Sequence, residues 1–252
     1  MGQDGVVEVA AGVHLVYGRK VNWVVLTDGD DVTLVDTGYP GNHEEVIGSL
    51  AALGHRPEDV TAVLLTHAHI DHVGSAEYFG ARHGVPVLLH ELEVPHARLE
   101  FLEQLTPAGV LPNLWRPRVL PWLVGAVRLG ALHGGAVTSP QAYPVEGELD
   151  VPGRPVPVHT PGHTRGHSVF HLPRAGVVVS GDALVGGHAT VGGVGPQLLL
   201  PMFDHDRPGA LESLDIIGKL DADVVLPGHG PLHRGPVADA ARRAREAAAG
   251  RR

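Results

Sequence analysis

His67, His69, Asp71 and His72 fall within six consecutive residues, in the run Thr66-His67-Ala68-His69-Ile70-Asp71-His72. Side chains that close together point to every face of a helix or strand, so no amphipathic element accounts for them. A metal does. Histidine nitrogen and aspartate oxygen are the common protein ligands of catalytic zinc, and a tight turn can aim several of them inward together. The stretch just before, Ala62-Val63-Leu64-Leu65, is a short apolar run that reads as a buried strand. The cluster is therefore expected on the loop leaving a strand, where a rigid scaffold holds functional groups most accurately.

Other segments repeat this form. Thr160-Pro161-Gly162-His163-Thr164-Arg165-Gly166-His167 follows a strand-like run and carries a histidine on a Pro-Gly turn. Ser180-Gly181-Asp182 ends the apolar run Val177-Val178-Val179 with a carboxylate, and Leu226-Pro227-Gly228-His229-Gly230 again ends a strand on Pro-Gly-His. Leu34-Val35-Asp36-Thr37-Gly38 has the same strand-tip shape. Polar residues placed repeatedly at strand ends describe a site along one edge of a sheet sandwich.

Together these residues resemble the metallo-β-lactamase-fold superfamily, in the expected order from about Val13 to Gly230. The resemblance implies an α/β fold, a four-layer αββα sandwich, with a dinuclear metal site. It implies that His67, His69 and His163 hold a first metal, that Asp71, His72 and His229 hold a second, and that Asp182 bridges them. Asp71 and Asp182 are then the carboxylates on which catalysis depends. Asp36 matches the family's strand-tip aspartate, which lies near the metals without touching them. His167 reads as a packed histidine beside the ligands, and His188, in Gly186-Gly187-His188, as a candidate for the pocket wall.

Five neutral imidazoles and two carboxylates suit two divalent ions, zinc first, with manganese, iron or cobalt as alternatives. A metal pair about 3.5–4 Å apart can share a hydroxide, because bound water falls from a pKa of about 16 to about 7. That hydroxide attacks a carbonyl or phosphorus centre without any serine or cysteine nucleophile.

The elements that must position these residues are legible in outline. Val6–Ala10, Val13–Tyr17, Asn22–Thr27 and Asp31–Val35 read as a β-meander, with Asp28-Gly29 the clearest turn. A helix is expected from Asn42 to about Leu53, ended by Gly54, and another over Ser75–His83. Strands are expected at Thr61–Leu65, Val85–His90, Val156–His159, Ser168–Leu172, Gly176–Ser180 and Asp223–Leu226, and helices over Arg207–Leu220 and Val237–Ala249. Strands followed by helices, twice over, suggest two halves with sheets inside and helices outside, in one domain spanning 1–252.

Residues 91–147 depart from this rhythm. Leu92–Leu105 fits an amphipathic helix, and Pro107, Pro112, Pro117 and Pro121 then break the chain into short apolar pieces. The segment reads as a helical insertion packed on the core, with an apolar lid or a homodimer contact as its alternatives.

Composition narrows the function. The net charge of −9 argues against nucleic acid or an anionic membrane as partner. The most apolar stretch, Val119 to Leu132, is too short and too interrupted to span a bilayer, and Met1 to Val6 shows no secretory signal, so a cytoplasmic protein is expected. The absence of cysteine excludes the cysteine-bearing β-lactamase subclasses, and the remaining one normally lacks a bridging aspartate such as Asp182. Only 23 residues follow His229, too few for the glutathione-binding helices of a glyoxalase II. Residues 183–228 hold no tyrosine, unlike the N-acyl homoserine lactonases. The expected activity is hydrolysis of an ester, thioester or lactone of a small acyl substrate. Phosphodiester or β-lactam hydrolysis on the same site is the alternative, and a non-hydrolytic metal-binding accessory protein is the alternative of another class.

Overall fold

Short β-branched runs alternate with turn residues through the first half of the chain, and that pattern builds a meander. The computed structural model describes residues 5–133, 135–144 and 146–250; Met1 to Asp4, on which the reading of the N-terminus rests, lie outside the described residues. Strands β1 (Gly5–Ala10), β2 (Val13–Tyr17), β3 (Asn22–Asp28) and β4 (Asp31–Val35) pair antiparallel in sequence order. Helix α1 (His43–Ala52), strand β5 (Val60–Leu64), helix α2 (Ala76–His83) and strand β6 (Val87–Leu89) follow, and β4, β5 and β6 run parallel.

Three short helices come next: α3 (Val94–Ala97), α4 (Pro107–Val110) and α5 (Val119–Arg128). Strand β7 (Pro140–Ala142) then pairs parallel with β6 and completes a seven-stranded sheet. The second sheet contains β8 (Val156–His159), β9 (Ser168–Leu172), β10 (Val177–Gly181), β11 (Val224–Pro227) and β12 (His233–Arg234). Helix α6 (Arg207–Ile217) lies in the parallel crossover from β10 to β11, and α7 (Val237–Ala249) follows β12.

Strand periodicity sorts the side chains into layers. On β3, Val24 and Leu26 face the second sheet and meet Phe170, Leu172, Val177, Val179 and Leu226. Trp23 and Val25 point the other way, into a layer with Val46 and Leu50 of α1 and Phe79 of α2. The outer face of the second sheet, through Val169, Val178 and Val225, is covered by Leu214 and Ile217 of α6 and Ala240, Ala241 and Ala244 of α7. The result is the αββα sandwich that the resemblance implies. Each large side chain fully buried in these layers contributes roughly 1.5–3 kcal/mol.

The segment between β6 and β7 differs from its sequence reading in two places. No continuous helix covers Leu92–Leu105; α3 ends at Ala97, and Leu99 adopts φ 59°. The Glu103 backbone is committed to other partners: its N–H donates to His96 Nε2 (3.4 Å) and its carbonyl accepts from His69 Nε2 (3.2 Å). Pro121, expected to break the chain, sits instead in the first turn of α5. An N–H there has no partner within the helix, so proline removes nothing. Helix α5 rests on a small apolar cluster of Val21, Tyr39, Ala126 and Leu129. Among the described residues, no helix is long and apolar enough to cross a membrane.

Candidate metal centre

The strand ends deliver the candidate residues to one edge of the sandwich. Asp36 follows β4, the run His67 to His72 follows β5, His163 lies between β8 and β9, Asp182 follows β10, and His229 follows β11. Glycine permits the close approach. A Cβ on Gly228 would lie 2.5 Å from Asp182 Oδ1 and 2.8 Å from His72 Cε1, and one on Gly181 (φ 49°) would lie 2.7 Å from Thr66 Oγ1.

One nitrogen of each imidazole is tethered outward. Asp36 holds φ 62°, a left-handed conformation rare for a residue with a side chain. Its carboxylate accepts from Thr66 N (2.8 Å), Thr66 Oγ1 (2.8 Å) and His72 Nδ1 (2.8 Å). Because the Thr66 hydroxyl proton goes to Asp36, its oxygen accepts from His67 Nδ1 at 3.0 Å. His69 Nε2 donates to the Glu103 carbonyl (3.2 Å), His163 Nδ1 to Asp204 Oδ1 (3.4 Å) and His229 Nδ1 to the Lys20 carbonyl (2.7 Å). Histidines that bind metal are oriented in this way, with the outer N–H on a carboxylate or carbonyl and the inner nitrogen free.

The inner atoms converge. His69 Nδ1 and His163 Nε2 approach to 3.0 Å. Asp182 Oδ2 lies 3.6 Å from His163 Nε2 and 3.3 Å from His229 Nε2, and Asp182 Oδ1 lies 3.5 Å from His72 Nε2. Asp71 Oδ2 is 3.4 Å from His229 Nε2. Three groupings bring their ligand atoms within 4.8 Å of one another: His67, His69 and His163; His67, His72 and Asp182; and Asp71, His72 and His229. The first and third coincide with the two triads that the resemblance implies, and Asp182 stands between them. His67 Nε2, His72 Nε2 and Asp182 Oδ1 are buried without a hydrogen-bond partner. Each such atom costs about 1–3 kcal/mol unless something coordinates it, so the donor set fits divalent cations.

Electrostatics point the same way. Burial and the neighbouring imidazoles push His67 well below the ordinary histidine range. Burial also opposes charge on His72, but Asp36, Asp182 and Asp71 outweigh it and raise His72 well above that range. His229 is raised to about 10, because Asp182 and Asp71 overcome its burial. The carboxylates thus favour positive charge among the imidazoles, whichever species carries it.

His167 sits directly behind this cluster. Its Nδ1 faces Thr160 Oγ1 (3.0 Å) and its Nε2 accepts from the Asp182 backbone N–H (3.1 Å), so it fixes the carboxylate-bearing turn. Burial lowers it to about 3, which keeps the accepting nitrogen free of a proton. His188 lies against His229 (4.8 Å between ring centres), Phe203 (5.3 Å) and Trp122 (5.9 Å), with Nδ1 2.7 Å from Thr190 Oγ1. It is among the residues that line the cavity described below.

Three functional-looking residues escaped the sequence reading. Glu93, 1% exposed, accepts from Ala68 N at Oε2 (2.8 Å) and from Gly166 N at Oε1 (2.9 Å), joining the loop of His67 and His69 to that of His163. Glu103 accepts from Arg165 N (2.8 Å) and pairs with its guanidinium (2.6 Å). Tyr39 is buried beside Asp71; burial, then Asp71 and Asp182, raise its phenol well above the usual range, so it stays protonated and donates toward Asp71. Only Tyr39 had a sequence signal, its place three residues after Asp36. The two glutamates lie in Leu92–Leu105, whose helical pattern marks its apolar positions and gives no signal for a buried carboxylate.

Above the cluster lies a cavity of about 310 Å³. His69, Asp71, His163, Asp182 and His229 form its floor, and Leu105, Val110, Leu111, Leu114, Trp122 and Leu123 are among its walls.

A model of the metallo-β-lactamase superfamily matches residues 16–229, and the chain belongs to that superfamily. It is 29% identical over 234 residues to the probable metallo-hydrolase YflN of Bacillus subtilis strain 168, covering 88% of this chain and 85% of that one. An uncharacterized protein of Mycobacterium leprae strain TN is 32% identical over 220 residues, or 84% of this chain and 87% of its own. Among solved structures, a metallo-β-lactamase family protein from Thermus thermophilus matches with a TM-score of 0.67 at 26% identity, over 97% of this chain and 81% of that one. A metallo-β-lactamase from Cronobacter sakazakii gives 0.69 at 16% identity, over 97% and 93%, a likeness of fold.

Proposed function

We propose that the protein is a dinuclear-metal hydrolase acting on an ester, thioester or lactone of a small acyl substrate. His67, His69 and His163 would hold the first ion, Asp71, His72 and His229 the second, and Asp182 would reach both. Zinc is the first candidate, with manganese or iron as alternatives. When bound, such ions supply a hydroxide at neutral pH and polarise the oxygen under attack. The chain's own residues do the rest. Asp36 and Thr66 keep the inner nitrogens of His72 and His67 facing the site, His167 holds the Asp182 turn, and Tyr39 donates toward Asp71. The apolar walls exclude bulk water and orient the acyl group.

The observation that carries this reading is the arrangement of five imidazoles, tethered outward and converging on Asp182 at the floor of an apolar cavity. Elemental mass spectrometry on protein purified without added metal, paired with a panel of esters, thioesters, lactones, β-lactams and phosphodiesters, tests it. Two equivalents of metal with turnover of the carbonyl substrates is the expected result, with turnover lost in Asp71→Ala. Turnover confined to phosphodiesters would move the substrate class. A folded protein with full metal content, inert to the whole panel, would favour a metal-binding accessory role.

A further inference from the structure

We infer that the cavity above the candidate metal centre selects an uncharged substrate with one apolar acyl chain, and rejects substrates whose remaining part is anionic. The inference rests on the hydrolase reading and narrows it. Among the described residues lining the cavity there is no lysine or arginine. Beyond the floor, its polar groups are those of Tyr39, Gln104, His188 and the Trp122 indole, and the rest of the lining from Leu105 to Leu132 is aliphatic. A carboxylate or phosphate on that wall would lose its water and gain no cation there.

The nearest cations lie outside that lining. The Lys20 side chain lies over Gly125 on α5, and it does not line the cavity. Beyond Leu199 a second groove holds Arg116, Arg207 and Arg245. Arg207 is paired with Asp204 and Arg245 with Asp215, both at 2.6 Å.

Shape sets the chain. Trp122 stands edge-on to Phe203 at 5.1 Å and, with His188, narrows the end beside His229. The opposite end opens past Leu111 and Leu132, which are 65% and 64% exposed. A methylene is about the size of a water, whose share of the liquid is ~30 Å³. The cavity therefore takes an acyl group of roughly ten heavy atoms, and a longer chain runs out over the exposed leucines.

A series of p-nitrophenyl esters with two to fourteen acyl carbons tests the chain. We expect kcat/KM to rise about fourfold per methylene and to level off at roughly eight to ten carbons. Val127→Phe should move that limit to shorter chains. Octanoyl-N-acetylcysteamine and octanoyl-coenzyme A share chain and scissile bond, and the neutral thioester should be preferred by more than tenfold. A flat ester series, or preference for the coenzyme A thioester, would overturn the inference; the latter would point to the arginine groove. Binding of the uncleavable 2-decanone and 2-butanone, followed by tryptophan fluorescence, separates the pocket from the chemistry. Chain-dependent ketone binding without ester turnover would sustain the pocket and sink the hydrolase. Ester turnover without chain-dependent ketone binding would do the reverse.

Discussion

At the scale of single residues, the site depends on side chains that hold other side chains. Glu93 is the plainest case, since one buried carboxylate accepts from the backbone of both ligand loops. Glu93→Gln keeps the volume but turns an amide NH₂ toward one of those N–H groups. The expected loss is about 1–3 kcal/mol of stability and about 10–100-fold in metal affinity, read by thermal melts and metal titration. An unchanged affinity would reduce Glu93 to a packing role. Tyr39→Phe preserves the ring against Ala126 and Leu129 and removes only the donor to Asp71. Turnover or metal affinity should fall about 10–100-fold with little change in melting temperature; no change in either would make the hydroxyl incidental.

At the scale of elements, the strand-tip loops were legible and the insertion was not. Val13–Tyr17, Asp31–Val35, Val156–His159 and Ser168–Leu172 have the bounds their patterns suggest, because alternation and turn chemistry act locally. Strand β7 carries Pro140 and only three residues, and its place comes from the free edge of β6 rather than from any pattern of its own. Leu92–Leu105 has helical periodicity, yet Glu103 bonds to His69 and His96 instead of continuing a helix. Tertiary hydrogen bonds overrode a weak propensity there. Pro121 offers a check on α5: Pro121→Ala should change stability by no more than about 0.5 kcal/mol, as measured by denaturant titration. A gain approaching the ~3 kcal/mol of an interior proline would mean that the helix begins earlier than Val119.

For the whole molecule, the centre sits where five separate strand ends meet, so its occupancy and the stability of the sandwich are linked. Removing metal with a chelator should lower the melting temperature. Saturation at about 100 times Kd is worth about 2.7 kcal/mol, and each kcal/mol moves Tm by roughly 2–4 °C in a chain of this size. An identical melt with and without chelator would indicate that the cluster holds no tightly bound ion. The sequence by itself determined the candidate ligands' types, their order and their place at strand ends, because local spacing and the apolar runs before them are properties of contiguous residues. It also marked Asp36, His167 and His188 as neighbours worth watching. Only the tertiary structure decided which nitrogen of each imidazole faces inward, that Tyr39, Glu93 and Glu103 support the cluster, and that no described residue of the wall above it is a lysine or arginine. Those depend on partners up to 209 residues apart, as in the bond from His229 to the Lys20 carbonyl. No local pattern encodes such pairs; they form when two sheets pack face to face and bring their strand ends to a common edge.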